Sequence, residues 1–207
     1  MIVLLDLEWI EKNEKFLTQF SVVRTDENWN VVSSMEIFVK PGAECFNEPD
    51  HMAFGGISTD LYRAAFSEKD CMHDLEEWLE DSDEIWVWAA SNKRYLADLW
   101  HRYIGGTIPR TYATAFDIRK VATRCHSDAE SPYTILAFMG VNPPYPEHRA
   151  SNDTEVMRQL FSRLGVQQSM YAKTPAKMPQ PARTQREKNQ RTIDKSQYLQ
   201  KWKGEYK

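Results

Sequence analysis

Cysteine is scarce here and badly spaced for chemistry. Cys45, Cys71 and Cys125 are odd in number, lie far apart and form no Cys-x-x-Cys pair. That argues against a disulfide framework and against a structural zinc site. No apolar run approaches the roughly 20 residues of a membrane span. The opening run Ile2-Val3-Leu4-Leu5 is short and meets acids instead of a small-residue cleavage site, so no secretory leader is expected. Internal repeats and strong low-complexity tracts are lacking too. These absences point to a soluble, cytoplasmic protein with reduced thiols. What is abundant is core-forming material: 42% of 207 residues are hydrophobic, with seven Trp, nine Tyr and nine Phe. That suits one ordinary domain with an appendage.

Charge divides the chain. Residues 1–165 carry 16 Lys and Arg against 27 Asp and Glu, a net of −11, and residues 166–207 carry 10 against 3, a net of +7. The first part is apolar and patterned. The second has Gln, Lys, Arg and three prolines but few aliphatics. The organisation expected is a globular body over 1–165 and a basic, largely flexible tail over 166–207. Ile193, Tyr198, Leu199 and Trp202 would form an apolar stripe on a short C-terminal helix.

Within the body, 15–24 and 31–41 read as strands joined by the turn Asp26-Glu27-Asn28-Trp29-Asn30. With the opening run they make a three-stranded antiparallel meander. A loop containing Pro49, Gly55 and Gly56 follows, then a helix over about 68–80. A fourth strand over 83–89 precedes a helix from about Asn92 to Tyr103. Thr111–Ala115 reads as a short fifth strand leading into a helix around 117–124. Further helices are expected over about 132–139, stopped by Gly140, and from Asn152 to Leu164, stopped by Gly165. A meander followed by alternating helix and strand is an α/β domain with a mixed sheet.

Asp6 and Glu8 follow the apolar opening run directly. Side chains in a strand alternate, so positions i and i+2 share a face and the two acids lie side by side at the strand's end. Buried carboxylates are costly without a cation, and a hard divalent ion takes oxygen ligands of this kind. The pattern Asp-x-Glu is common, and the chain repeats it elsewhere. Asp74-Leu75-Glu76 lies on an amphipathic helix and Asp128-Ala129-Glu130 in a polar loop. Position after an apolar strand separates the first copy from these.

Downstream, His148 precedes Asp153 by five residues, a spacing no other histidine has. Asp153 is placed in the first turn of a helix with Val156, Leu160 and Leu164 on its apolar face. His148 lies on a loop after Asn142-Pro143-Pro144-Tyr145-Pro146, which cannot continue a helix. A rigidly presented carboxylate with a histidine on a loop suits metal-assisted chemistry in which the histidine takes a proton from water. The bland reading of Asp153 is an acid favoured by the helix dipole.

Together these residues resemble the DEDDh 3′–5′ exonuclease superfamily. Asp6-Leu7-Glu8 is similar to its first motif, with Gln19-Phe20-Ser21-Val22 on the next strand and Phe38-Val39-Lys40-Pro41 ending the third. Gly55-Gly56-Ile57-Ser58 is similar to a Thr-Gly-Ile-Thr segment whose backbone lies along the terminal nucleotide. His148, Arg149, Ala150 and Asp153 match a His-Arg-Ala-x-x-Asp motif. The resemblance covers residues 1–165. It implies an RNase H-like fold with a five-stranded mixed sheet flanked by helices. It also implies Mg²⁺ or Mn²⁺ on Asp6, Glu8 and Asp153, with His148 as general base. Substrate contacts implied or suggested beside these are Trp9, Phe54, Gly55, Gly56, Ile57, Ser58 and Arg149.

One position departs from the pattern. The RNA-trimming branch carries Trp-Gly-x-x-Asp after the fourth strand, and this chain has Trp88-Ala89-Ala90-Ser91-Asn92. Asn92 keeps an oxygen that could be a weak ligand but removes a charge. Asp98 is the nearest acid, and six residues along a helix is a rotation of about 240° and a rise of about 9 Å, so it cannot take the same place. Trp9 and Phe54 could stack on a terminal base, worth roughly 1–3 kcal/mol, or pack in the core. Arg149 could meet a phosphate or stand beside Glu147. The function expected is metal-dependent 3′–5′ trimming of single-stranded nucleic acid, RNA over DNA, with a protein partner for the tail. The rival is an attenuated domain of the same fold that binds nucleic acid or protein without cutting, and a third reading is a trimming subunit docked by its tail to a larger machine.

Overall fold

A computed structural model describes residues 1–11, 14–43, 45, 58–80, 83–106, 108, 116–117 and 131–165. The elements, in chain order, are β1 (Ile2–Glu11), β2 (Lys15–Thr25), β3 (Val31–Phe38), α1 (Thr59–Ala64), α2 (Glu68–Trp78), β4 (Glu84–Val87), α3 (Ala90–Tyr103), β5 (Phe116–Asp117), α4 (Pro132–Phe138) and α5 (Ala150–Leu164). The sheet runs β3-β2-β1-β4-β5. Its β1–β2 and β2–β3 pairs are antiparallel, and β1–β4 and β4–β5 are parallel. The fold is the expected α/β type with a mixed five-stranded sheet.

Alternation along β1 sorts the core into two layers. Val3, Leu5 and Leu7, with Ile85 and Val87 of β4, pack against Met72 and Leu75 of α2 and Leu96 and Leu99 of α3. Ile2 and Leu4, with Trp86 and Trp88, pack against Ile135 of α4 and Val156, Leu160 and Phe161 of α5. Trp29 explains an aromatic in a turn. Asp26 Oδ1 accepts from the Asn28 and Asn30 N–H groups, both at 2.8 Å, and closes the turn. The Trp29 ring then tucks against Trp86 and Phe161, at centroid distances of 5.8 and 5.2 Å.

Several boundaries differ from the sequence reading. β1 runs on to Glu11, so Asp6 and Glu8 lie within the strand and not at its end. What ends is its neighbour: β4 pairs with Ile2–Leu5 and stops there, so among the described residues β1 has no strand partner on that side from Asp6 onward. β3 stops at Phe38, and Val39 bridges to Phe66 instead. A six-residue helix, α1, was not expected; its short run carries too little periodicity to register. α5 begins at Ala150, two residues early. Where a helix was to start at 117 the chain has β5, and 111–115 lie outside the described residues, as do 118–124 and 166–207.

At the far end of the sheet Arg24 and Asp83 form a buried ion pair, with Arg24 Nη2 at 2.7 Å from Asp83 Oδ2 and donating to the Trp78 carbonyl at 2.8 Å. The Glu80 N–H supplies a further donor to Asp83. This network ties the end of α2 to β2 and β4.

Candidate active site

Cross-strand partners share a face. Asp6 is opposite Ser21, which is opposite Glu36, and Glu8 is opposite Gln19. The face carrying the acids is therefore continued on β2 and β3 by polar residues. The register shifts between Glu8 and Trp9, where β2 carries Thr18 as an extra residue. Thr18 Oγ1 donates to the Glu8 carbonyl at 3.0 Å, and the Thr18 carbonyl accepts from the Val39 N–H at 2.8 Å. The bulge is thus hydrogen-bonded to the chain on both sides, at the position of the second acid.

α5 is seated on this row. Arg149, at its N-cap, supplies no side-chain cap. Gln19, 1% exposed, does the work from the sheet: its Oε1 accepts from the Ala150 N–H at 2.8 Å while its Nε2 donates to Glu36 Oε1 at 3.0 Å. One otherwise orphaned helix N–H is thereby satisfied across 131 residues of sequence. Ser21 and Thr154 hydroxyls meet at 3.0 Å just beyond. The seat brings Asp153, in the first turn of α5, to the other two acids. Oxygens of Asp6, Glu8 and Asp153 lie within 4.8 Å of one another.

Three converging carboxylates perturb one another. Burial and then the Asp6 and Asp153 charges push Glu8 up to about 9. Burial and the Asp153 charge raise Asp6 as well. Burial raises Asp153 also, against hydrogen bonds from Tyr133 and Glu8 that favour its anion. At neutral pH, without a cation, Glu8 therefore carries a proton directed at Asp153. The donor set fits a hard divalent ion: oxygens on one Mg²⁺, each at about 2.1 Å, lie up to about 4.2 Å apart. Small side-chain rotations close the difference.

Asn92 is buried and reaches this cluster from the start of α3, whereas Asp98 is on the exposed side. Its orientation differs from that of a carbonyl ligand. Nδ2 donates to Asp6 Oδ1 at 2.7 Å, and Oδ1 accepts from Ser91 Oγ at 3.4 Å. A buried carboxylate beside other acids favours a donor, so the amide turns its N–H₂ inward.

His148 is exposed and lines an open cavity of about 130 Å³ together with Asp6, Asp153, Glu147 and Tyr133, walled by Trp88 and Met157. Its φ of 66° is left-handed, a conformation uncommon outside glycine. Arg149 is paired with Glu36 at 3.2 Å, so a phosphate at Arg149 would compete with that carboxylate. Trp9 meets Tyr95 edge to face at 5.2 Å, with Lys15 Nζ 4.6 Å from its ring centre. A base stacking on the face beneath Lys15 would have to displace it. Ser58 is exposed at the N-cap of α1. Phe54, Gly55, Gly56 and Ile57 lie outside the described residues.

Tyr133 and Glu36 escaped the sequence reading. Tyr133 donates to Asp153 Oδ1 at 2.8 Å from a different helix, a contact that no spacing encodes. Glu36 could have been found by carrying the Asp6 row across two strand registers.

The same fold occurs in solved structures. The nuclease domain of 3′hExo, described as a DEDDh family member and bound to rAMP, superposes with a TM-score of 0.66 at 13% identity, over 79% of this chain and 90% of that one. The fold is that of the DEDDh exonucleases. Cell-death related nuclease 4 matches with a TM-score of 0.67 at 15% identity, and E. coli Exonuclease I in complex with a dT13 oligonucleotide with 0.63 at 16%. This chain covers 62% and 42% of those two, so each is much the longer. No protein-family model matches the sequence, and no curated protein is significantly similar to it. The DEDDh likeness is therefore one of fold, carried by geometry at identities where sequence comparison is blind.

Proposed function

We propose that this chain is a metal-dependent 3′–5′ exonuclease acting on single-stranded nucleic acid, with RNA preferred to DNA. The observation that carries the reading is the convergence of Asp6, Glu8 and Asp153 within 4.8 Å where β4 ends, with His148 on the adjoining cavity. Sheet ends of this kind are where α/β folds bind ligands. Neighbours of the same fold are described with rAMP and with a dT13 oligonucleotide.

Asp6, Glu8 and Asp153 would hold Mg²⁺ or Mn²⁺. Such an ion, when bound, offsets the carboxylate charge and stabilises negative charge developing on the phosphate. His148 takes a proton from the attacking water, whose oxygen forms the new bond to phosphorus. The bond to the 3′ oxygen of the preceding nucleotide breaks, and that oxygen takes a proton from solvent as it leaves. The left-handed turn at His148 and the seat made by Gln19 and Glu36 present the imidazole to the cavity.

A second reading, a domain that binds without cutting, is favoured by one observation: Asn92 gives Asp6 a hydrogen bond where a fourth acid would add charge. End-labelled single-stranded RNA and DNA, incubated with Mg²⁺, Mn²⁺ or EDTA, separate the two. Stepwise shortening from the 3′ end, abolished by EDTA and by Asp6→Ala, is expected. Retarded but uncut substrate under every metal condition would favour the binding domain.

A further inference from the structure

Tyr133 has one hydroxyl proton and two acceptors within reach. Its oxygen lies 2.8 Å from Asp153 Oδ1 and 3.3 Å from the Pro146 carbonyl. Pro146 belongs to the irregular segment that carries His148 two residues on, and its carbonyl also accepts from Asn152 Nδ2 at 3.0 Å. A carbonyl oxygen has two lone pairs, so it can hold both donors at once.

We propose that Tyr133 is a positioning residue that couples occupancy of the acidic cluster to the set of the His148 loop. With the cluster free of cation its proton goes to Asp153; with a divalent cation on the cluster it goes to Pro146. The proposal rests on the metal-dependent reading above. An anionic oxygen is the stronger acceptor, which the shorter of the two distances reflects. A dication draws charge from the carboxylate oxygens and makes the neutral carbonyl competitive. Pro146 is then held by one donor from α4 and one from α5, close to His148. No covalent bond changes; the hydroxyl rotates about its own C–O bond. A loop set by this means would bring the imidazole into place when the ion arrives.

The test uses the full-length chain, with Mg²⁺ binding followed by calorimetry and loop order by backbone ¹⁵N relaxation at Glu147, His148 and Arg149. In the wild type, saturating Mg²⁺ is expected to raise the heteronuclear NOE of these amides. Tyr133→Phe is expected to bind Mg²⁺ yet lose that rise, and to lower kcat with KM unchanged. Asn152→Ala, whose donor serves Pro146 in either state, is expected to lower the NOE with and without Mg²⁺ and keep the rise. An equal rise in Tyr133→Phe and wild type overturns the coupling alone. No Mg²⁺ binding by the wild type overturns the metal-dependent reading, and the coupling with it.

Discussion

At Asn92 one atom type decides the electrostatics of the site. Its amide donates to Asp6 where a carboxylate would repel it. Asn92→Asp should therefore destabilise the metal-free protein and tighten Mn²⁺ binding, by roughly tenfold, the lower end of what groups touching metal ligands contribute. Asp98→Ala should change neither, because Asp98 lies on the exposed side of α3. Calorimetric titration of the two variants checks both outcomes. Glu8 makes a separate prediction about pH. Its value in the folded protein is about 9 against an ordinary 4.5. Between those limits the folded state holds a proton that the unfolded chain has released, so stability falls as pH rises. Asp6 is shifted in the same direction and adds to the slope. In EDTA the thermal midpoint should drop across that window, and Glu8→Gln should flatten the profile. A midpoint that climbs with pH in EDTA would contradict the burial of these acids.

At the start of α5 one buried amide joins the helix to two strands. Gln19→Leu removes the acceptor for the Ala150 N–H and the donor to Glu36 together. An unsatisfied buried group costs about 1–3 kcal/mol, and urea denaturation should show a loss of that size with the slope unchanged. Truncating Asp83 should cost more, about 3–5 kcal/mol, because Arg24 is left buried without its partner. The same elements mark where sequence reading stops. Period-two alternation in β1 placed the acid pair on one face, since strand geometry links residue number to face directly. The Gly165 stop of α5 was legible for a similar reason: its φ of 59° suits glycine. The Gln19 cap, the Tyr133 contact and the pairing of Arg149 with Glu36 were not. Each joins segments distant in sequence, and such meetings depend on how helices are seated, not on local pattern.

Across the whole chain, an acidic body of net −11 is joined to a basic segment of net +7. We propose that the segment tethers nucleic acid that the body would otherwise repel. Ending the chain at Gly165 should then weaken binding of single-stranded RNA and flatten its dependence on salt, read from affinities at several salt concentrations. An unchanged salt slope would make Ile193, Tyr198, Leu199 and Trp202 the better guide, as a protein-docking stripe. A last consequence follows from β1, which carries both core layers and two of the three acids on one alternating strand. Slipping its pairing by a single residue would exchange its faces, turning Asp6 and Glu8 into the oily layer beneath α2 and α3 while Leu5 and Leu7 faced the cavity. No misregistered molecule could retain the acid cluster. Titrating a preparation with a divalent ion would therefore count its correctly paired molecules, and a specific activity below expectation could be divided by that count before any residue is blamed for it.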